Sequence, residues 1–249
     1  MRYFFRIEYD GSRYCGWQVQ LNGNSIQTEL QNAFSTVLRH KCSVTGAGRT
    51  DAGVHARAQC AHMDTETRID IIRCEHSVNA LLPKDIAIYG LQEVGRQFHA
   101  RFSAVSREYS YTLVDRKTPL QLLRAWHIAY PMNWQRVQEN SNHLIGTHDF
   151  AAFCASGSGS DSTICLIKDV RLTNDAGTWQ FSIKANRFIY KMVRSIVGTL
   201  VDIGRGNIKE TMYDIISSKE RSRVGQTAPP HGLVLENVNY EGFGDKDGI

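Results

Sequence analysis

Between residues 45 and 59 the chain reads TGAGRTDAGVHARAQ, and Asp51 is the only acid in it. Gly46, Gly48 and Gly53 surround Arg49 and Asp51. Two residues apart in an extended loop, the guanidinium and the carboxylate project to the same side. A neighbouring cation favours the ionised carboxylate. An acid held ionised suits a nucleophile or a base better than a proton donor. The plain alternative is a surface ion pair, which contributes under about 1 kcal/mol. Glycine density weighs against it, because glycine lets a ligand approach the main chain closely. The run is neither G-x-G-x-x-G nor a loop ending in Gly-Lys-Ser/Thr, and a strand-like run follows it. A nucleotide phosphate site is therefore not expected.

A second run, FHARFSAVSREYSY from Phe98 to Tyr111, mixes aromatics with arginines. Aromatic faces stack bases, and arginines neutralise phosphates. The competing reading is an amphipathic strand with Tyr109 and Tyr111 on one face. Buried beside a reacting base, the Tyr109 phenol could carry a proton. Lys184, Arg187, Lys191 and Arg194 lie in an acid-free stretch from Trp179 to Val201. Arg96, Arg101, Arg107, Arg116, Lys117 and Arg124 form another basic stretch, diluted by Glu108 and Asp115. A net charge of +4 is compatible with a nucleic-acid partner and equally with solvated basic faces.

With 249 residues, 42% hydrophobic and 22% charged, the chain has the composition of a globular protein of one or two domains. No apolar run approaches the roughly 20 residues that span a bilayer. Arg6 and Glu8 interrupt the first apolar stretch, so a signal peptide is not expected. The six cysteines form no C-x-x-C pair and read as reduced cytosolic thiols. Cys60 and His62 have the spacing of strand alternation, and no metal site is expected.

These residues need elements to hold them. RYFFRIEY is a strand, and NSIQTELQNAFSTVL a helix capped by Asn24 or Ser25, with Ile26, Leu30, Ala33, Phe34 and Val37 at helical spacing. Strands are expected around residues 42–45 and 54–63, then a helix stopped by Pro83, then the strand DIAIYGLQEV. That order is the βαββαβ arrangement of ferredoxin-like and RNA-recognition domains. A second pass gives the strand EYSYTLVD, a helix from Asn133, and a hairpin turning at residues 174–177. A helix with Met192, Ile196, Leu200 and Ile203 on one stripe follows, ending at Gly204, and then a last strand, GLVLENVNY. The expected class is α+β: two ferredoxin-like halves, residues 1–104 with the glycine loop and 105–249. The Ser/Gly run 155–162 reads as a mobile loop and the tail as frayed.

Taken together, IEYDGSRYCGWQ, SIQTEL, GAGRTDAGVHA, NALLPKDIAI, FHARFSAVSREYSY, GTHDFAAF, NRFIYKMVRSIVGTL and APPHGLVLENVNY resemble, in order, the tRNA pseudouridine synthases of the TruA family. The resemblance covers nearly the whole chain, and the glycine loop is its most specific part. It implies Asp51 as the catalytic aspartate and Arg49 as the arginine that helps hold the target nucleotide out of the stack. It implies Tyr109 packing on the target base and Arg194 pairing with the aspartate. Arg101 and Lys191 are expected to contact the substrate.

The resemblance also implies two halves joined into an extended, mostly antiparallel sheet with a central cleft. The partners it implies are the tRNA anticodon stem-loop, at positions 38 to 40 in tRNA numbering, and a second copy of the chain. No cofactor is implied. The reaction breaks the glycosidic C–N bond of uridine, rotates the uracil, joins its C5 to the sugar and releases the C5 proton. Asp51 could add to the sugar, add to the ring or take a ribose proton. The rivals are an idle RNA-binding protein and an Asp51-dependent nucleosidase. Glycosidases usually use two carboxylates, and this loop offers one. In one departure, Cys165 stands where the family commonly has an arginine, beside the Ser/Gly run, and this bears on loop contacts to tRNA.

Overall fold

The computed structural model describes residues 1–21, 23–154 and 162–242. The reading of 155–162 as a loop falls, except for Ser162, outside the described residues, as does most of the tail. Two units divide the chain, Met1–Val105 with the stretch from Val234 onward, and Ser106–Leu233.

The first unit runs β1 (Arg2–Tyr9), α1 (Ile26–Leu38), β2 (Val44–Gly46), β3 (His55–Asp64), α2 (Ile71–Leu81) and β4 (Ile86–Val94). β1 pairs antiparallel with β3 and with β4, and β2 pairs antiparallel with β3. The order β4-β1-β3-β2 is that of the ferredoxin-like βαββαβ unit. Helix α1 starts at Ser25, whose side chain accepts from the Thr28 N–H, and buries Ile26, Leu30, Ala33 and Phe34. Phe34 meets Phe5 of β1 with ring centres 4.9 Å apart. Helix α2 is capped by the Asp70 side chain on Arg73 N–H and ends at Leu81, two residues before Pro83.

The second unit contains β5 (Ala104–Val114) from Ser106 onward, β6 (Trp126–His127), α3 (Trp134–Asn142), β7 (Gly146–Asp149), β8 (Ile164–Asp175), β9 (Thr178–Ala185), α4 (Met192–Arg205) and α5 (Met212–Ser218). Its strands run β5-β9-β8-β7, all antiparallel, and β6 lies parallel to the end of β5. The β8–β9 hairpin turns on Ala176 and Gly177, with φ of 47° and 84°. Positive φ at both central residues matches the right-handed twist of the flanking strands.

Two expectations about α4 change. It is buried on all sides from Ser195 to Gly204, not along one stripe. Gly204 lies inside it, where a Cβ would stand 2.6 Å from Met132 and Val137, and Gly206, with φ of 79°, ends it. Helix α5 had no counterpart in the sequence reading. Its start is a capping box in which Thr211 and Asp214 each satisfy the other's backbone N–H.

The last strand, β10 (Leu233–Tyr240), was assigned to the C-terminal half. Its pairing with β3 is parallel, Val234 opposite His55 and Leu235 opposite Ala56, and from Val234 onward it groups with the first unit. The α+β class and the mostly antiparallel pairing stand as expected. Among the described residues no helix is long and apolar enough to cross a membrane.

Candidate active site

One edge of β3 is taken by β1. The other is shared, because β10 pairs at residues 55–56 and β2 at residues 61–63. The glycine loop fills the gap between them. Ala47 N–H donates to the Cys60 carbonyl at 2.7 Å. Gln59, fully buried on β3, donates from Nε2 to the Gly48 carbonyl at 3.0 Å. The loop is thereby anchored to a strand.

Its other side rests on the segment after β1. Trp17 N–H donates to the Thr50 carbonyl at 3.1 Å. Gly16, with φ of 100°, comes so close that a Cβ would lie 2.6 Å from that same oxygen. The Trp17 ring lies against Gly46, where a side chain would overlap it. Val54 N–H closes a turn onto the Asp51 carbonyl at 3.1 Å, with Gly53 at φ 77° in its third position. Glycine adopts that conformation at little cost.

Thr50 points inward, and its hydroxyl lies 2.7 Å from the Tyr9 hydroxyl in a buried contact. Residues alternate in extended chain. With Thr50 turned in, Arg49 is exposed and Asp51 half-buried. The glycines give the loop its close contacts, and Tyr9, Gly16, Trp17 and Gln59 make it rigid. Gly16 and Trp17 were not among the expected site residues. The glycine and tryptophan side by side were the legible signal of a close backbone approach.

The other expected site residues belong to the second unit, except Arg101. Tyr109 lies on β5 opposite Ile183 of β9, half-buried, its ring edge-on to Phe188 at 5.2 Å. Tyr111, on the same strand face, is fully buried and donates to the Pro229 carbonyl at 2.8 Å. Burial pushes its phenol far above the ordinary value, opposed by the charge of Arg194. Arg194 is in the first turn of α4. Its Nε donates to the Ala228 carbonyl at 2.8 Å, and Ala228 N–H donates back to the Arg194 carbonyl at 3.0 Å. Main chain and side chain are thus tied to the same residue.

Lys191 caps α4 with φ of 61° and holds its ammonium 5.0 Å from the Tyr190 ring centre. Arg101 is exposed in the first unit. The basic stretch in β9 is partly neutralised, since Lys184 lies 3.8 Å from Glu108. Cys165 is fully buried on β8, and burial pushes its thiol up to about 11. This position presents no side chain to an RNA surface. Cys60 and His62 are both buried on β3. The His62 Nδ1 accepts from Ala100 N–H at 3.2 Å.

The sequence pattern of the family described as tRNA pseudouridine synthase matches residues 6–103 and 141–241. The chain belongs to the tRNA pseudouridine synthase family. Relatives named tRNA pseudouridine synthase A agree over almost the full length. One from Thermoanaerobacter sp. (strain X514) is 43% identical over 94% of this chain and 97% of its own. One from Bacillus subtilis (strain 168) is 41% identical over 97% of this chain and 100% of its own. One from Bacteroides thetaiotaomicron is 40% identical over 96% of this chain and 90% of its own. In this member of the tRNA pseudouridine synthase family, the glycine loop with its one acid lies within the first matched segment, and Arg194 within the second.

Proposed function

We propose that this chain isomerises uridine to pseudouridine in tRNA, at positions 38 to 40 of the anticodon stem-loop, acting in the cytoplasm as a homodimer without a cofactor. The observation that carries this reading is the half-buried Asp51, presented beside exposed Arg49 by a loop pinned to β3 and to Trp17, in a chain of this family.

The reaction conserves atoms. The C1′–N1 bond of uridine breaks, the uracil turns, C1′ bonds to C5, the C5 proton leaves, and N1 gains a proton. Asp51 is the catalytic nucleophile or base, and a rigid loop suits it because reacting atoms must be held close and aligned. Arg49 helps keep the target nucleotide out of its stack, and exposure leaves it accessible to RNA. Tyr109 packs on the base and is the candidate for the deprotonation at C5. Arg194 serves turnover more than affinity, while Arg101 and Lys191 meet the RNA backbone. Exposing a stacked base costs a few kcal/mol, and phosphate contacts offset that.

Incubation of the protein with unmodified tRNA transcripts, followed by site-resolved mapping, tests this. The expected result is pseudouridine at positions 38 to 40 with unchanged RNA mass. Release of free uracil would assign a nucleosidase instead, and bound but unaltered tRNA would leave an RNA-binding protein.

A further inference from the structure

Phe102 is 75% exposed, on the turn that leads into β5. Single exposed apolar side chains are ordinary. This one is mounted on a turn whose backbone is held at almost every step. Arg2 donates from Nη1 to the carbonyls of Arg96 and Phe98, at 2.9 and 2.6 Å. The buried Ala100 donates its N–H to His62 Nδ1 at 3.2 Å and accepts from the Tyr240 hydroxyl at 2.8 Å. His99 N–H donates to Ser103 Oγ, and Ser103 N–H donates to the His99 carbonyl, both at 2.9 Å. The N–H groups of Arg101 and Phe102 both point at His99 Nδ1, at 3.2 and 3.4 Å. A turn fixed this way would have no need of an aromatic ring at its tip for its own stability.

The ring also has ordered neighbours. Phe102 leans on His99 with ring centres 4.5 Å apart and a tilt of 37°, and His99 in turn meets His62 at 4.8 Å. The Arg101 guanidinium lies 5.4 Å from the Phe102 ring centre. A supported, largely open aromatic ring beside a cation is the combination that stacks nucleobases and neutralises the adjoining phosphate. The exposed leucines Leu120 and Leu122 offer no such platform, because an aliphatic side chain has no π face.

We propose that Phe102 is a stacking platform for an unstacked base of the RNA substrate, with Arg101 beside it. This rests on the proposed action on tRNA. A base in a duplex already has both faces covered, so the platform takes a nucleotide from a single-stranded loop or one displaced from its stack.

The test measures binding of unmodified tRNA transcript by Phe102→Ala, Phe102→Leu and Phe102→Trp variants across a salt series. Stacking on an aromatic side chain is worth about 1–3 kcal/mol per base, so Phe102→Ala and Phe102→Leu should weaken binding by about 5- to 150-fold. Phe102→Trp should bind within about 2-fold of the parent, since it keeps a π face. The slope of log affinity against log salt should match the parent in all three, because no phosphate contact is removed. Thermal midpoints like the parent's, expected for an exposed ring, show that the fold is intact. Parent-like binding by Phe102→Leu overturns the proposal. If that variant instead loses self-association, the ring serves a protein contact and the proposal is likewise overturned. A parent protein that modifies tRNA while Phe102→Leu binds normally refutes the platform alone. A parent that never modifies tRNA refutes the broader reading.

Discussion

The hydroxyls of Tyr9 and Thr50 lie 2.7 Å apart in a buried contact, and Thr50 is the residue between Arg49 and Asp51. A strand of the first unit thereby grips the loop from within, one residue from the acid. Removing the phenol hydroxyl in Tyr9→Phe deprives a buried hydroxyl of this partner, which costs about 1–3 kcal/mol. Because small displacements of reacting groups slow chemistry strongly, kcat should fall by about 10-fold or more while KM for tRNA changes little. Steady-state kinetics with a folded variant checks this. An unchanged kcat would show that the contact does not position Asp51.

Gly16 and Gly48 should respond differently to alanine. At Gly16 the backbone has φ of 100° and a Cβ would crowd the Thr50 carbonyl, whereas at Gly48 a Cβ meets nothing within 4 Å. Gly16→Ala should lower the thermal midpoint and activity together. Gly48→Ala should keep the midpoint, so any loss of activity reports on the approach of RNA. Equal midpoints for the two variants would contradict the steric account.

His62 should make stability depend on pH. Burial, chiefly, with help from the charges of Arg2 and His99, pushes its imidazole down to about 4. The unfolded chain takes up a proton near the ordinary value of about 6.5. The folded state binds fewer protons between those values, so this contribution is complete above about pH 6.5 and is lost as pH falls toward about 4. The Asp64 carboxyl, lowered by its hydrogen bond from Arg2, loses its contribution only at more acid pH. His62→Asn keeps an acceptor for Ala100 N–H and cannot titrate, so its stability should vary less with pH across that window. Denaturant titrations at several pH values decide it. An identical slope in the variant would remove His62 as the cause.

Tyr109 separates packing from proton transfer. Tyr109→Phe retains the ring against Phe188 and loses only the hydroxyl. It should bind tRNA normally and form product more slowly, whereas Tyr109→Leu should suffer in both. If the phenylalanine variant keeps parent turnover, the ring packs and the hydroxyl has no chemical role.

Local signals carried much of this fold into the sequence. Ser25 and its helical apolar spacing announced α1, and the alternation of EYSYTLVD announced β5. The turn residues Ala176 and Gly177 fell within the expected hairpin bend. Long-range choices were not legible. Nothing in GLVLENVNY says that β10 pairs with β3, because parallel partners are selected by the assembled sheet and not by local pattern. The burial of α4 on every side was hidden for the same reason: Ser195, Thr199 and Asp202 look like a polar face until neighbouring chain covers them. At the site, the chemical pair Arg49 and Asp51 stood out by type and spacing. Their supports, Tyr9 and Gln59, lie 42 residues before and eight after Asp51 in sequence and become neighbours of the loop only through β-pairing.

The most direct test is Asp51→Asn assayed on unmodified tRNA transcripts, with pseudouridine mapped site by site and binding measured in parallel. Asparagine keeps the shape and removes the charge and nucleophilicity. The account predicts tRNA affinity close to the parent's and no pseudouridine at any position. Substantial pseudouridine formed by the verified variant would contradict it.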